Sequence, residues 1–317
     1  MMRTLDYRIG IQDDGKTIQD FLIEKGYSHA ILVHLKKTPE SILRNGKWEY
    51  LRTHIKAGDT LRIVLTESEG SDAIAPSPMP LDICYEDEDI LVINKPADMP
   101  IHPSKRHPTH TLANAVCAYF HSQGIPYTFR CVNRLDRDTT GLVILAKHAL
   151  SSTILNQAIC ERGIHREYLA LADGCVPEEG TISAPIGRKS NSSIERVIDY
   201  EHGDRAVTHY RRLSYENGIS LLSLHLETGR THQIRVHMKH LGYPLIGDAL
   251  YHPEYSSSFS DNKIKRQALH SYRLQFNHPI TGVPMDFLAP LPADMAALVS
   301  LVPPVHTQSA PSKASHE

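Results

Sequence analysis

The sequence predicts an α+β protein in which a large domain on a mainly antiparallel, mixed sheet follows a small α/β module. Three observations predict this. Runs that read as strands follow one another with helical patterns between them but no regular βαβ repeat. A stretch rich in Pro, Ser and acid at 67–80 separates a short part, residues 1–66, from a long one, residues 81–302. Hydrophobic residues make up 41% of 317, enough for one large core and one small one.

In chain order, residues 4–10 read as a strand, and 17–25 and 28–36 carry helical patterns. Asn45-Gly46 sits between Ser41-Ile-Leu-Arg and Trp48-Glu-Tyr-Leu, a hairpin signal because this dipeptide accepts the positive φ angles of a tight turn. Ala57-Gly-Asp-Thr then leads into a strand at 61–65.

Beyond the linker at 67–80, strands are expected near 81–85 and 90–94 and a helix over 111–121. Residues 142–146 are continuous, aliphatic and introduced by Gly141, which predicts a buried strand. A helix at 149–161 and a strand at 165–172 follow. After a Gly-, Pro- and Ser-rich excursion come strands near 206–213 and 219–226. Residues 231–240 should be helical, with Ile234, Met238 and Leu241 on one face as core and an amino terminus that favours an anion. The polar end, 303–317, is expected to be disordered.

No apolar run approaches the roughly 20 residues needed to span a bilayer, and the polar start lacks a signal-peptide pattern, so a cytoplasmic monomer without membrane contact is expected. The five cysteines are scattered without a C-x-x-C pair and read as buried free thiols. A net charge of -2 is not that of a protein coated in basic residues, so any RNA contact must rest on local positive patches.

The chemistry gathers around Asn133-Arg-Leu-Asp-Arg-Asp-Thr-Thr-Gly141, a charged knot at the mouth of the predicted core strand. A rigid strand can hold such a loop in place while solvent still reaches it. Taken alone, the knot reads more readily as a solvated ion-pair cluster worth little. However, it resembles the signature of the pseudouridine synthases of the RluA family, H-R-L-D-x-x-T-S-G, with Asn133 for the His and Thr140 for the Ser. The stretch from Leu226, Thr228-Gly-Arg-Thr-His-Gln-Ile-Arg-Val-His237, followed by Gly242-Tyr-Pro-Leu-Ile-Gly-Asp248, matches the family's second block at nearly every fixed position. Further matches are Tyr85-Glu-Asp-Glu-Asp-Ile-Leu-Val-Ile-Asn-Lys-Pro96, Arg166-Glu-Tyr-Leu-Ala170 and Leu269-His-Ser271 with His278-Pro279, so the resemblance covers most of residues 81–292.

The resemblance implies the pseudouridine synthase fold for 81–302 and an enzyme that isomerises uridine in ribosomal or transfer RNA without a cofactor. It places the catalytic carboxylate on Asp136, its guanidinium partner on Arg235 and the aromatic residue packing on the flipped base on Tyr168. Arg134 would fill the gap left in the RNA, with Arg137, Arg230 and His232 as further RNA contacts. The first 66 residues are similar to an S4-like RNA-binding module, on which Lys36, Lys37 and Arg44 would face RNA beside Lys47, Arg52 and Lys56.

The chemistry agrees with one carboxylate. Moving uracil from N1 to C5 on ribose C1′ needs no redox change, and an ionised Asp can stabilise or capture a developing oxocarbenium centre or take a ribose proton. Such an Asp stays charged in a dry site only beside a fixed cation. Two rival readings are a metal hydrolase built on His102, His107 and His110 or on His225, His232, His237 and His240, and an RNA-binding protein with a decayed site. No metal is expected, because neither set has tightly specified ligand spacing. The presence of Asp136, Tyr168 and Arg235 together argues against decay.

Overall fold

A computed structural model describes all residues except 1, 68, 69, 72, 73, 106, 193, 254–263 and 301–317; the expected disordered tail therefore lies outside the described residues. The first sheet has four strands in the order β1-β4-β2-β3, with β1 (Met2–Arg8) antiparallel to β4 (Thr60–Thr66) and β2 (Ile42–Arg44) turning through Asn45 and Gly46 into β3 (Lys47–Trp48). Both turn residues have positive φ. Helices α1 (Ile18–Glu24) and α2 (His29–Lys37) cover it, each started by a hydroxyl, Thr17 and Ser28, that accepts a backbone N–H of the first turn. Leu5, Phe21, Leu22, Leu35 and Ile63 form its core, which fits the S4-like α/β module expected from the sequence.

This core is not closed by the module alone. Leu150 and Ile154 of α4 (Ala149–Cys160) complete it, and Arg3 forms a bidentate pair with Asp89 at the start of the next sheet. The Pro- and Ser-rich stretch between the two parts lies against α3 (Leu112–Ser122), where the Asn114 side chain donates to the Ala75 carbonyl and the Ser77 amide donates to the Asn114 carbonyl.

The second sheet runs β5-β6-β7-β14-β8-β13-β12-β9, with β15 also on β14. Its central strands are β6 (Ile90–Lys95), β7 (Thr140–Ala146), β14 (Leu269–Asn277), β8 (His165–Asp173) and β13 (Ile219–Leu226); β5 (Ile83–Glu86) forms one edge, and β12 (Val207–Glu216) and β9 (Glu179–Ser183) the other. All pairings are antiparallel except β7 with β14, which makes the sheet mixed. Every residue of β7 is buried, as its unbroken aliphatic run requires.

Strand β14 forks. Its first residues pair with β7, His270 with Thr140 and Ser271 with Gly141, while from Arg273 onward it pairs with β15 (Pro284–Leu288). Gly141 makes the junction: its φ is +108°, and a Cβ there would stand 2.2 Å from the Ser271 carbonyl oxygen.

Several expectations change. The excursion after β8 holds β9 and a two-stranded ribbon of β10 (Ile186–Arg188) and β11 (Arg196–Ile198). Helix α5 (Gln233–His240) starts two residues later than expected, because His232 adopts a left-handed conformation, φ 58°, ahead of it. Ile234 and Met238 are core as expected, with Leu241 packed against them. The cysteines are free, but only Cys117 is buried. Cys84, Cys160 and Cys175 are exposed, Cys160 because it ends α4 away from the packed face. Among the described residues no helix is long and apolar enough to cross a membrane.

Candidate active site

The loop before β7 opens onto a cleft of about 690 Å³, whose lining includes Asn133, Arg134, Asp136, Arg166, Tyr168, Arg230, His232 and Arg235. The loop is anchored at both ends. Leu135 is buried in the main core, and the Asn133 side chain is committed to the backbone of β7, donating to the Leu142 carbonyl at 3.1 Å and accepting the Ile144 amide at 2.8 Å. Asn133, which stands where the family has His, thus acts in packing. On the far side the Thr139 amide donates to the Asp136 carbonyl, the Gln267 side chain donates to the Thr139 hydroxyl and Arg266 donates to the Asp138 carbonyl.

Asp136 is left partly exposed, with Oδ2 accepting from Arg235 Nη1 at 3.1 Å. Arg235, expected as the guanidinium partner of Asp136, does not turn its planar fork to that carboxylate. The structure gives it to Asp248 instead: Nε and Nη2 donate to the two Asp248 oxygens at 2.7 and 2.8 Å, leaving Nη1 for Asp136. Burial alone would lower the Arg235 pKa, but Asp248 and Asp136 raise it. Asp248 also accepts the amides of Leu250 and Tyr251. Just before it, Gly247 has φ +72° and lies where a Cβ would be 2.2 Å from the Arg266 carbonyl oxygen. Asp248 belongs to the G-x-P-x-x-G-D block, the signal that could have singled it out.

Tyr251 links the groups around Asp136. Its ring lies under the Arg235 guanidinium at 4.9 Å, and its hydroxyl accepts the Arg196 amide and meets His232 Nδ1 at 2.8 Å. Donation from that hydroxyl to Nδ1 is the arrangement that gives the phenol proton an acceptor, and it puts the His232 proton on Nε2, which stands 3.9 Å from Asp136 Oδ2. Burial lowers the His232 pKa, which keeps the ring neutral at pH 7. The Gln233 side chain locks the Thr228-Gly-Arg loop below, accepting from the Thr228 hydroxyl and the Arg230 amide and donating to the Val207 carbonyl and the Thr208 hydroxyl. A basic residue that sequence reasoning passed over, Lys95, is fully buried nearby. It donates to the carbonyls of Pro96 and Arg137, and burial pushes its pKa down to about 7.

Tyr168 lines the cleft from β8, and burial raises its phenol pKa, so it enters any chemistry protonated. Arg134 is exposed in the same cleft and has no hydrogen bond or ion pair among the described residues. Arg230 lines it too, with its charge 3.5 Å from Asp204. His232, expected as an RNA contact, stands beside the carboxylate. Arg137 is turned to Asp138, with Nη2 at 2.8 Å, and Arg44 to Asp59 at 2.6 Å, so both guanidinium groups are already paired. Lys36 and Lys37 are exposed on the last turn of α2, and neither lines the cleft.

Neither histidine set gathers as a metal centre: His237 is buried between the Thr208 hydroxyl and the Ala184 carbonyl, and His225 and His240 are exposed. Among the described residues, the one cluster with ligating atoms close enough is Asp87, Asp89 and His278. Its members hold one another and their neighbours: His278 pairs with Asp87, and Asp89 with Arg3 and His148. None of the three lines the cleft.

Known proteins are similar to this chain over much of its length. Residues 89–240 match the family described as RNA pseudouridylate synthase. An uncharacterized RNA pseudouridine synthase of Bacillus subtilis, YjbO, is 40% identical over 89% of this chain and 98% of its own. The ribosomal large subunit pseudouridine synthase D of Escherichia coli K12 is 39% identical over 83% of each. The solved structure of human RNA pseudouridylate synthase domain containing 1 superposes with a TM-score of 0.55 at 27% identity, covering 67% of this chain and 83% of that one.

Proposed function

This chain belongs to the RluA family of RNA pseudouridine synthases, and from that premise we propose that it acts on ribosomal RNA with Asp136 as its catalytic carboxylate. The observation that carries the assignment is the pairing of Asp136 with Arg235 at the edge of a cleft lined by Tyr168. One carboxylate oxygen is held by the guanidinium and the other has no hydrogen bond among the described residues, so an oxygen is free to face a ribose carbon. The choice of ribosomal RNA is supported by relatives such as the Escherichia coli enzyme, named for the ribosomal large subunit.

In the proposed reaction the target nucleotide leaves the RNA stack and enters the cleft, while the unpaired Arg134 guanidinium takes the vacated place. Asp136 acts at the sugar as the bond from C1′ to N1 breaks, by stabilising positive charge, by bonding to C1′ or by taking a ribose proton. The uracil turns in place, C5 joins C1′ as Asp136 gives back whatever bond or proton it took from the sugar, and the C5 proton is lost while N1 gains one, so the product is an isomer of the substrate. Because the base stays bound, there is no departing alcohol to protonate, and one carboxylate suffices. Tyr168 packs its ring against the base; its raised pKa suits a phenol that stacks and donates rather than a base.

Asp136→Asn should abolish pseudouridine formation while RNA affinity falls less than about tenfold, or about 1.4 kcal/mol. Turnover near the wild-type rate would sink the assignment. Mapping pseudouridine across the host's RNA with and without this chain tests the substrate class; a position lost only from transfer RNA refutes ribosomal RNA.

A further inference from the structure

Arg166 is the one cleft-lining residue with a buried side-chain donor that has no acceptor: its Nε makes no hydrogen bond, and no carboxylate of the described residues pairs with its guanidinium. Leaving such a donor unmet is costly, and more so for a charged group. A buried group of this kind calls for an explanation, and a ligand absent from the free protein is one.

The surroundings are shaped around this guanidinium. Arg166 and Tyr168 are two apart on β8 and therefore face the same side of the sheet. Across from them, Gly229 of the Thr228-Gly-Arg loop comes so close that a Cβ there would stand 3.2 Å from Arg166 Nη1. Three other arginines of the cleft have partners: Arg235 holds two carboxylates, Arg230 lies by Asp204, and Arg196 donates to the Ile194 and Glu195 carbonyls. Arg134 and Arg188 have none among the described residues, but both are exposed and water can satisfy them.

We propose that Arg166 is a phosphate-binding residue for the nucleotide seated in the cleft. This rests on the reading that the cleft takes RNA. Position decides for phosphate over a uracil carbonyl. Burial increases along β8 from exposed His165 through half-buried Arg166 to buried Tyr168, so Arg166 stands about 6.6 Å outward of the ring assigned to the base, at two residues of strand rise. That is where the sugar-phosphate chain must pass. A planar fork of donors also matches phosphate oxygens in pairs, which a single carbonyl cannot use.

The test uses the full-length chain and a host ribosomal RNA transcript that the wild-type enzyme modifies. Arg166→Gln should raise KM tenfold or more with kcat within about twofold. In the Asp136→Asn background it should lower the slope of log affinity against log salt by about 0.7–0.9, the loss of one phosphate contact. Arg166→Lys should restore the slope but only part of the affinity, since it keeps the charge without the fork. An unchanged slope, a loss confined to kcat, or a Lys variant no better than Gln overturns the proposal. If the wild-type chain forms no pseudouridine in any host transcript, the underlying reading fails and this inference falls with it, an outcome distinct from an active enzyme indifferent to residue 166.

Discussion

Arg235 presents its fork to Asp248 and reaches Asp136 through Nη1 alone, at 3.1 Å. The carboxylate proposed as catalytic is thus held by a cation that a second, fully buried carboxylate has already fixed. The arrangement divides two duties: Asp248 sets where the guanidinium lies, and the guanidinium sets charge and orientation at Asp136.

Asp248→Asn should therefore act at a distance. Breaking one half of a buried ion pair costs about 3 kcal/mol, and the freed guanidinium no longer points one donor at Asp136. Urea unfolding should report the first effect. A fall in kcat of about a hundredfold should report the second, the scale expected when a reacting group is misplaced by an ångström. Unaltered kcat would show that Asp248 does not position the site.

Arg235→Lys should damage both stability and rate, because an ammonium lacks the fork that pairs with both Asp248 oxygens while a further N–H reaches Asp136. A variant with wild-type unfolding and wild-type kcat would contradict the shared contact.

Tyr251→Phe removes one hydroxyl and keeps the ring under Arg235. His232 Nδ1 then loses the donor that fixes its tautomer. The acid side of the kcat profile should move toward higher pH as the ring becomes easier to protonate beside Asp136, Arg235, Asp248 and Arg196, the charged groups around it. Measuring kcat between pH 5 and pH 8, on the order of the range in which histidines titrate, checks this; superimposable profiles would count against it.

Gly141→Ala places a Cβ against the Ser271 carbonyl in a left-handed backbone. A loss of about 3 kcal/mol or more is expected from such overlap with strain. Thermal unfolding of the variant measures it, and a change under about 1 kcal/mol would show that the strand junction yields easily.

His270 supplies a pH dependence. It is buried between the Thr140 hydroxyl and the Ala289 carbonyl, and burial pushes its pKa down to about 4 from 6.5. The unfolded chain binds this proton more readily, so the contribution is complete above pH 6.5 and is lost as pH falls toward 4, by up to about 3 kcal/mol. Denaturation at a series of pH values should show this limb, and His270→Gln should flatten it.

The elements that were legible in the sequence have strong local signals. The Asn45-Gly46 turn, the capped helices α1 to α3 and the aliphatic β7 all formed where expected, because propensity and burial agree there. Strands β10 and β11 are three residues each and lie in a Gly-, Pro- and Ser-rich stretch, too short to show an alternation. The pairing of Asp136 with Arg235 was legible only through the two motifs that contain them. The division of Arg235 between two carboxylates was not, since sequence spacing says nothing of which oxygen a guanidinium faces. Arg166 could be placed on a strand, but its want of a partner depends on Gly229 and the loop around it, some sixty residues further along the chain.

The parallel seam between β7 and β14 joins residues separated by 130 positions, Thr140 and His270. Until the polypeptide has been made past residue 269, β7 and β8 each keep an uncovered margin of backbone donors and acceptors, and such margins invite association with other chains. The same late strand follows Arg266 and Gln267, which pin the loop of Asp136. The enzyme therefore becomes competent only after this strand has been made: a nascent or prematurely terminated product lacking this segment is both inactive and prone to aggregate.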